Sequence, residues 1–540
     1  MPSSSDPTSY PAWRQTLLGG WRWWAERGAL SGGTLTVVLA GFIGLLAGLG
    51  AVLFTLIIES ITRWTYGGAG NHLDDSPWWT VVLVLSPVVG LLLVNWMTRT
   101  FAPEAQGHGV PEVIAAVARN DGVIRARTAV VKILASGINI GTGGSVGREG
   151  PIVQIGSALG SVSGQFFKLS AKNIKVLVAA GAAAGISATF NAPLAGVIFA
   201  SEIILGNFAV ESLTPIVLAS VVADIVQQHL GEHHFEAAFG QLESYDFAGA
   251  WAKLPGYLVL GLLAGLFAVS FSKMLYWMED FLQLKLPHWP TRAVIVGLLI
   301  GVVGLTYPVW PPGESDEIAL LQQHGQRPLP PLMGVGYGVV DHALHLNVKS
   351  LEPTEAEVET DEAPHLAAPG TPPRKAVWLS RDQMVVELCW LAPLVLLKPL
   401  LTSLTLGGGG SGGIFAPSLY LGATLGAAFG IVMNMLFPES SHEPAMYAIV
   451  GMGAVVAGAT HGVLSAILIV YEMTNRYEVI LPIMAAAGLS SLVSRMVDPE
   501  SIYYKKLSRR GEQIARGHDM HHLEHVMVRD VMQRHFPTLN

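Results

Sequence analysis

Two glycine-dense stretches, Gly141 to Pro151 (GTGGSVGREGP) and Gly407 to Pro417 (GGGGSGGIFAP), lie between apolar segments, and the first carries one carboxylate, Glu149. No continuous helix tolerates that density of glycine, so the backbone there is irregular. At membrane depth irregular backbone persists only where it is buried in protein or lines a watery cavity, because lipid satisfies no N–H or C=O group. Each stretch runs through a proline, Pro151 or Pro417, into an apolar segment, and proline suits a first helical turn. A helix start offers unpaired N–H groups and the positive end of the macrodipole, about 0.3 to 2 kcal/mol to an anion. Two such ends meeting bind a small inorganic anion without a fixed cationic side chain, and partial charges release what a buried Lys or Arg retains. An ionised Glu149 beside those ends imitates the anion, whereas a protonated one has no reason to stay, so proton and anion compete for one place. The bland alternative is a salt bridge from Glu149 to Arg148.

The elements that position these loops are apolar. Of 540 residues 51% are hydrophobic and 13% charged, against about 25% charged in an average soluble protein. The net charge of −8 offers no polyanion-binding surface, so nucleic acid is not an expected partner. Thr34 to Ile58 contains no charge and is long enough to cross a bilayer. Further apolar stretches run near Trp78–Met97, Ile174–Ala200, Leu254–Ser270, Ala293–Leu305, Val385–Leu406, Ile414–Leu436, Tyr447–Val470 and Val479–Val493. The expected fold class is an all-α polytopic membrane protein. The first run is too long for a cleaved signal peptide and no small-residue cleavage pattern follows it. Arg14, Arg22 and Arg27 before the apolar core, and Lys505, Lys506, Arg509 and Arg510 after it, place both termini in the cytoplasm by the positive-inside rule. The segment Arg119 to Lys132 follows the same rule, Leu351 to Lys375 reads as a flexible external loop, and Lys168, Lys172 and Lys175 fit no simple topology. Cys389 excludes an intrachain disulfide and reads as a small buried hydrophobe.

The chain repeats itself. Gly147 to Gly160 laid on Gly413 to Gly426 matches at Gly, Pro, Gly, Leu and Gly without a gap, at an offset of 266 residues, and Gly181–Glu202 lies more weakly on Gly451–Glu472. Two related halves account for both matches and their order.

Four motifs then carry a resemblance. GHGVPEV (Gly107 to Val113), GREGP (Gly147 to Pro151), Phe190-Asn-Ala-Pro-Leu-Ala-Gly196 and GGIFAP (Gly412 to Pro417), in this order, resemble the signatures of the CLC family of chloride channels and proton-coupled chloride exchangers, prokaryotic type, from about Gly33 to Arg510. The resemblance implies two inverted-topology repeats with broken and tilted helices, a homodimer with one anion pathway per subunit, and chloride and protons as substrates at the cell membrane, the inner one in a Gram-negative cell. It implies Glu149 as the gating, proton-transferring carboxylate. Anion coordination falls to backbone at Gly150, Ile414 and Phe415, to His108, and to the hydroxyl of Tyr503, with Tyr504 as the alternative. His108 stands where many relatives have serine, and faces the ion with its ring or with backbone alone. The intact GGIFAP resembles chloride-type members rather than the fluoride-exporting branch. No cofactor or metal is implied.

One departure concerns protons. Ile203 occupies the place of the exchangers' internal proton-carrying glutamate, and Glu202, about 100° away around a helix, reads as a structural carboxylate. Proton-coupled exchange with water reaching Glu149 is the leading reading, and a passive chloride channel is the alternative. The expected organisation is a cytoplasmic segment 1–32, a first membrane repeat 33–230, a second repeat in two parts, 231–345 and 377–504, an acidic Pro-rich loop 346–376 between them, and a cytoplasmic tail 505–540. A membrane enzyme requires a nucleophile with its base, or a metal cluster, and the apolar segments hold neither. The run His518 to His525 lacks a Cys partner and reads as a solvated helix end. Val526 to Met532 resembles the opening of a CBS regulatory domain that the chain stops too soon to complete.

Overall fold

The computed structural model describes residues 32–68, 77–231, 250–309, 330–348, 377–437 and 443–512, with Phe239, Pro311 and Ile514. Segment 1–31, most of the acidic loop, His518–His525 and Val526–Met532 lie outside the described residues.

Among the described residues the fold is all-helical apart from one short ribbon, and nine of the helices are long and apolar enough to cross a membrane. In α1 (Gly32–Thr62) Phe42, Leu45, Leu49, Leu53 and Leu56 are exposed at three- to four-residue intervals, while Leu39, Ile43, Ala47, Ala51 and Phe54 are buried. That helix meets lipid along one stripe and protein along the other. After it come α2 (Pro77–Phe101), α3 (Val110–Arg119), α4 (Ala126–Gly141), α5 (Glu149–Phe166) and α6 (Ala171–Phe190).

Two expected spans are each broken in two. Within Ile174–Ala200, α6 ends where Asn191 turns left-handed at φ 54°, and α7 (Pro193–Phe199) restarts on a proline and runs on through a π-helical turn, Ala200–Leu205. Within Tyr447–Val470, His461 at φ 60° separates α14 (Pro444–Thr460) from α15 (Val463–Thr474). Apolar composition continues across both breaks, so hydropathy alone gives no sign of them. One span was missed: α8 (Val210–Leu230), whose Glu211, Pro215 and Asp224 interrupt its apolar run.

The remaining elements are α9 (Ala250–Lys285), α10 (Trp289–Thr306), α11 (Tyr337–Leu344), α12 (Arg381–Gly407), α13 (Phe415–Leu436), α16 (Ile480–Val497) and α17 (Ile502–Arg509). Strands β1 (Leu346–Val348) and β2 (Val377–Leu379) pair in parallel and fasten the two ends of the acidic loop, which thus begins three residues later than expected. Cys389 is exposed on α12 rather than buried, since the helix turns that face outward. Lys132 is also no loop charge: it lies fully buried in α4.

The halves recur in three dimensions at the offsets the sequence carries. A Cβ on Gly156 would lie 2.1 Å from the Gly181 carbonyl oxygen, and one on Gly422 would lie 2.3 Å from that of Gly451. Likewise Gly160 abuts Leu177 O at 2.0 Å and Gly426 abuts Tyr447 O at 2.0 Å. Only hydrogen fits where α5 meets α6 and where α13 meets α14, so both pairs close backbone to backbone. The halves also cap each other. Glu202 accepts from the N–H groups of Leu464 (3.3 Å) and Ser465 (2.8 Å) at the start of α15, and Glu472 accepts from those of Leu194 (3.1 Å) and Ala195 (2.6 Å) at the start of α7.

Ion pairs sort the ambiguous lysines. Lys175 lies 3.5 Å from Asp121, which puts the α6 entry on the same face as the α3–α4 loop and Arg125. Gly181→Val should therefore abolish a monodisperse peak in size-exclusion chromatography, whereas Gly488→Ala, with nothing within 4 Å, should leave the melting temperature unchanged or slightly raised.

Candidate anion site

Three glycine-rich loops are stitched together across the two halves. Gly107 N–H donates to Gly410 O (3.1 Å) and Gly412 N–H returns a bond to Gly107 O (3.2 Å). Gly147 and Gly413 exchange both bonds, at 2.8 and 2.6 Å, as an isolated antiparallel bridge. Ser411 anchors the centre: its hydroxyl donates to Ala105 O (2.7 Å) and meets the Ser136 hydroxyl (2.9 Å), and its carbonyl accepts from the Asn139 amide (2.9 Å). The buried Lys132 ammonium donates to Ala105 O (3.0 Å) and Gly107 O (2.7 Å), a second donor for each carbonyl beside the Ser411 hydroxyl and the Gly412 N–H.

These loops deliver helix starts to one place. Helices α3, α5, α13 and α17 follow Gly109, Arg148, Ile414 and Ser501, and none of the four has a side-chain cap. Gly109 sits at φ 83°, a conformation that favours glycine. Gly150, the second residue of α5, packs so tightly that a Cβ would lie 2.3 Å from His108 O and 3.0 Å from Gly413 Cα. The ring of Tyr503, at the start of α17, lies 5.9 Å from that of His108. Uncapped N–H groups and positive dipole ends thus converge in a region almost closed to water, where they act most strongly.

Glu149, the first residue of α5 and 1% exposed, is held at both carboxylate oxygens. Tyr337 O–H donates to Oε1 at 2.5 Å, and the Ala416 N–H, in the first turn of α13, donates to Oε2 at 3.3 Å. A Cβ on Gly147 would stand 2.3 Å from Oε2, so glycine there leaves the carboxylate its room. The Arg148 alternative is not what the side chains form: Arg148 donates to Thr189 O (3.3 Å) and lies over the Tyr337 ring at 5.4 Å, with no Arg148–Glu149 ion pair among the described residues. Tyr337 lies 188 residues away in α11, outside every motif, and sequence reasoning missed it.

The other residues singled out in the sequence fall as follows. His108 is 3% exposed, with Nε2 3.4 Å from the Tyr276 hydroxyl, which itself donates to Ile502 O at 2.5 Å. Ile414 and Phe415 are buried at the start of α13, Tyr503 is buried and Tyr504 half-buried on α17. Ile203 is buried at the seam with α15, where a Cβ on Gly462 would meet its Cδ1 at 2.9 Å. No group of His, Cys, Asp and Glu suited to a metal ion occurs among the described residues.

Fold and site together define a polytopic membrane protein of two inverted repeats whose buried helix starts meet around Glu149. A family model described as voltage gated chloride channel matches residues 89–495. The chain belongs to this family, the CLC proteins. It is 30% identical over 491 residues to the "Putative chloride channel protein ClcB-like" of Ralstonia nicotianae, covering 89% of this chain and 98% of that one. It is 28% identical over 494 residues to the "H(+)/Cl(-) exchange transporter ClcA" of Vibrio campbellii, covering 90% and 91%. Among solved structures it resembles a slow cyanobacterial Cl-/H+ antiporter with TM-score 0.69 and 25% identity over 88% of this chain and 97% of that one. A CLC-type fluoride/proton antiporter shares the fold, with TM-score 0.62 and 22% identity over 87% and 97%.

Replacing Lys132 by Met removes one of two donors from each of the Ala105 and Gly107 carbonyls, which keep the Ser411 hydroxyl and the Gly412 N–H, at about 0.5 to 3 kcal/mol for each bond lost. The expected result is a lower melting temperature together with weaker chloride binding, read by differential scanning fluorimetry and calorimetry.

Proposed function

We propose that this protein exchanges chloride for protons across a cell membrane, with Glu149 as the group for which both compete. The observation that carries this reading is the Glu149 carboxylate accepting from the Ala416 N–H at the start of α13, where a halide would be held by the same donor. Protonated, the side chain loses its claim on that donor and on the dipole ends of α5 and α13, and chloride takes the place. Ionised, it closes the path. Backbone at Gly150, Ile414 and Phe415, with His108 and Tyr503, surrounds the ion.

Exchange is supported over passive conduction by relatives named as exchange transporters and by an antiporter of the same fold. Ile203 carries no proton, and Glu202 is committed to the start of α15 through both oxygens, so protons reach Glu149 from the inside through water. Beyond proton transfer to and from Glu149 no covalent bond is made or broken, and the protein acts as a transporter rather than an enzyme.

The protein is a homodimer in which each subunit keeps its own pathway, as the CLC resemblance implies. Both termini are cytoplasmic: Lys505, Lys506, Arg509 and Arg510 pair with Asp498, Glu112 and Asp280 on one face of the protein. In the cell the chain spans the plasma membrane, the inner one in a Gram-negative organism, with the repeat boundaries at 33–230 and 231–504 around the acidic loop. In proteoliposomes a chloride gradient should drive uphill proton movement, and Glu149→Gln should abolish it while chloride still passes. Continued proton movement in that variant would assign the gate elsewhere.

A further inference from the structure

Glu149 is held by two donors, and they come from different elements. One is backbone of α13, the other the hydroxyl of Tyr337 at the start of α11. The loop that delivers Tyr337 is itself fixed. Gly334 and Gly336 adopt φ 58° and 88°, and the buried Lys398 ammonium donates to Gly334 O at 2.8 Å and Leu332 O at 3.5 Å. A Cβ on Gly336 would lie 2.7 Å from the ring of Tyr420, which is on α13 one turn after Ala416. Both donors are thereby referred to the same helix. The Tyr337 ring is clasped by the Arg148 guanidinium at 5.4 Å and by Phe239 edge-on at 5.8 Å, so its hydroxyl has little freedom to swing away.

We propose that Tyr337 is the latch of the gate: a positioning residue whose hydroxyl fixes ionised Glu149 in the anion's place and sets how readily chloride displaces it. This rests on reading Glu149 as the competitor of chloride. A hydrogen bond to a charged acceptor is stronger than one to a neutral acceptor, and only the ionised gate gains its full value. Losing it weakens the carboxylate as a competitor, and chloride binds more tightly by about tenfold.

The test is chloride binding to the purified full chain by calorimetry at fixed pH, in a two-by-two cycle of Tyr337→Phe and Glu149→Ala. Tyr337→Phe keeps the ring contacts and should tighten binding about tenfold. In the Glu149→Ala background the same change should have no effect, because there is no carboxylate left to latch. An equal effect in both backgrounds, or none in the native one, overturns the latch. Should Phe disturb the fold, 3-fluorotyrosine at 337, a stronger donor of the same shape, is expected to weaken chloride binding, and tighter or unchanged binding would overturn it too. The parent reading fails separately, if Glu149→Ala alone leaves chloride affinity as it was.

Discussion

A helix that begins inside a membrane leaves its first N–H groups without water, and something negative or lone-paired must answer them. The rest of this structure depends on that constraint. Helices α3, α5, α13 and α17 all begin at one buried place, and none is capped by the side chain of its own N-cap residue. Elsewhere the chain does answer such groups internally, as Glu202 and Glu472 do for α15 and α7. At the centre the Glu149 carboxylate gives the answer, through the Ala416 N–H. A group that answers the donors far more strongly while ionised would, on the proposed reading, yield the place to another anion when it takes up a proton. On the proposed reading, selectivity for a single small charge follows from partial charges and tight backbone rather than from a cationic side chain.

That arrangement needs rigid scaffolding, because dipole ends lose their effect within about a turn of the helix start. Backbone bonds between Gly107 and Gly410 and between Gly147 and Gly413 lock the halves together at the loops, and Lys132 fastens the strand of backbone before α3. Behind the loops, glycine-mediated contacts of α5 with α6 and of α13 with α14 exclude any side chain from the seam. Stability and site geometry are therefore the same feature seen at two distances.

Much of this was legible in the residues. The 266-residue offset that aligned Gly147–Gly160 with Gly413–Gly426 carries Gly156 onto Gly422 and Gly160 onto Gly426, whose contacts repeat in space. Pro151 and Pro417 marked first turns, because proline needs no donor there. What escaped notice shares a physical cause: it is decided by tertiary contact, not local pattern. Tyr337 looks like any interfacial aromatic until α11 brings it to Glu149, Lys132 reads as part of a basic segment until backbone carbonyls are seen around it, and Lys398, inside an apolar span, drew no reading at all. The breaks at Asn191 and His461 are hidden by apolar residues on both sides, and α8 by its acids and proline. Cys389, in an apolar run, is exposed because it lies on the outward face of α12, whose opposite face buries Trp390, Leu391 and Leu394.

The most direct measurement is anomalous diffraction from crystals of Glu149→Gln grown in bromide. A peak is expected between the starts of α5 and α13, within contact of the backbone at Gly150, Ile414 and Phe415, and it should be displaced in the native protein by the Glu149 carboxylate. Bromide found only at the protein surface, or equally at this place with the native carboxylate still seated there, would contradict the competition of anion and gate for one pocket.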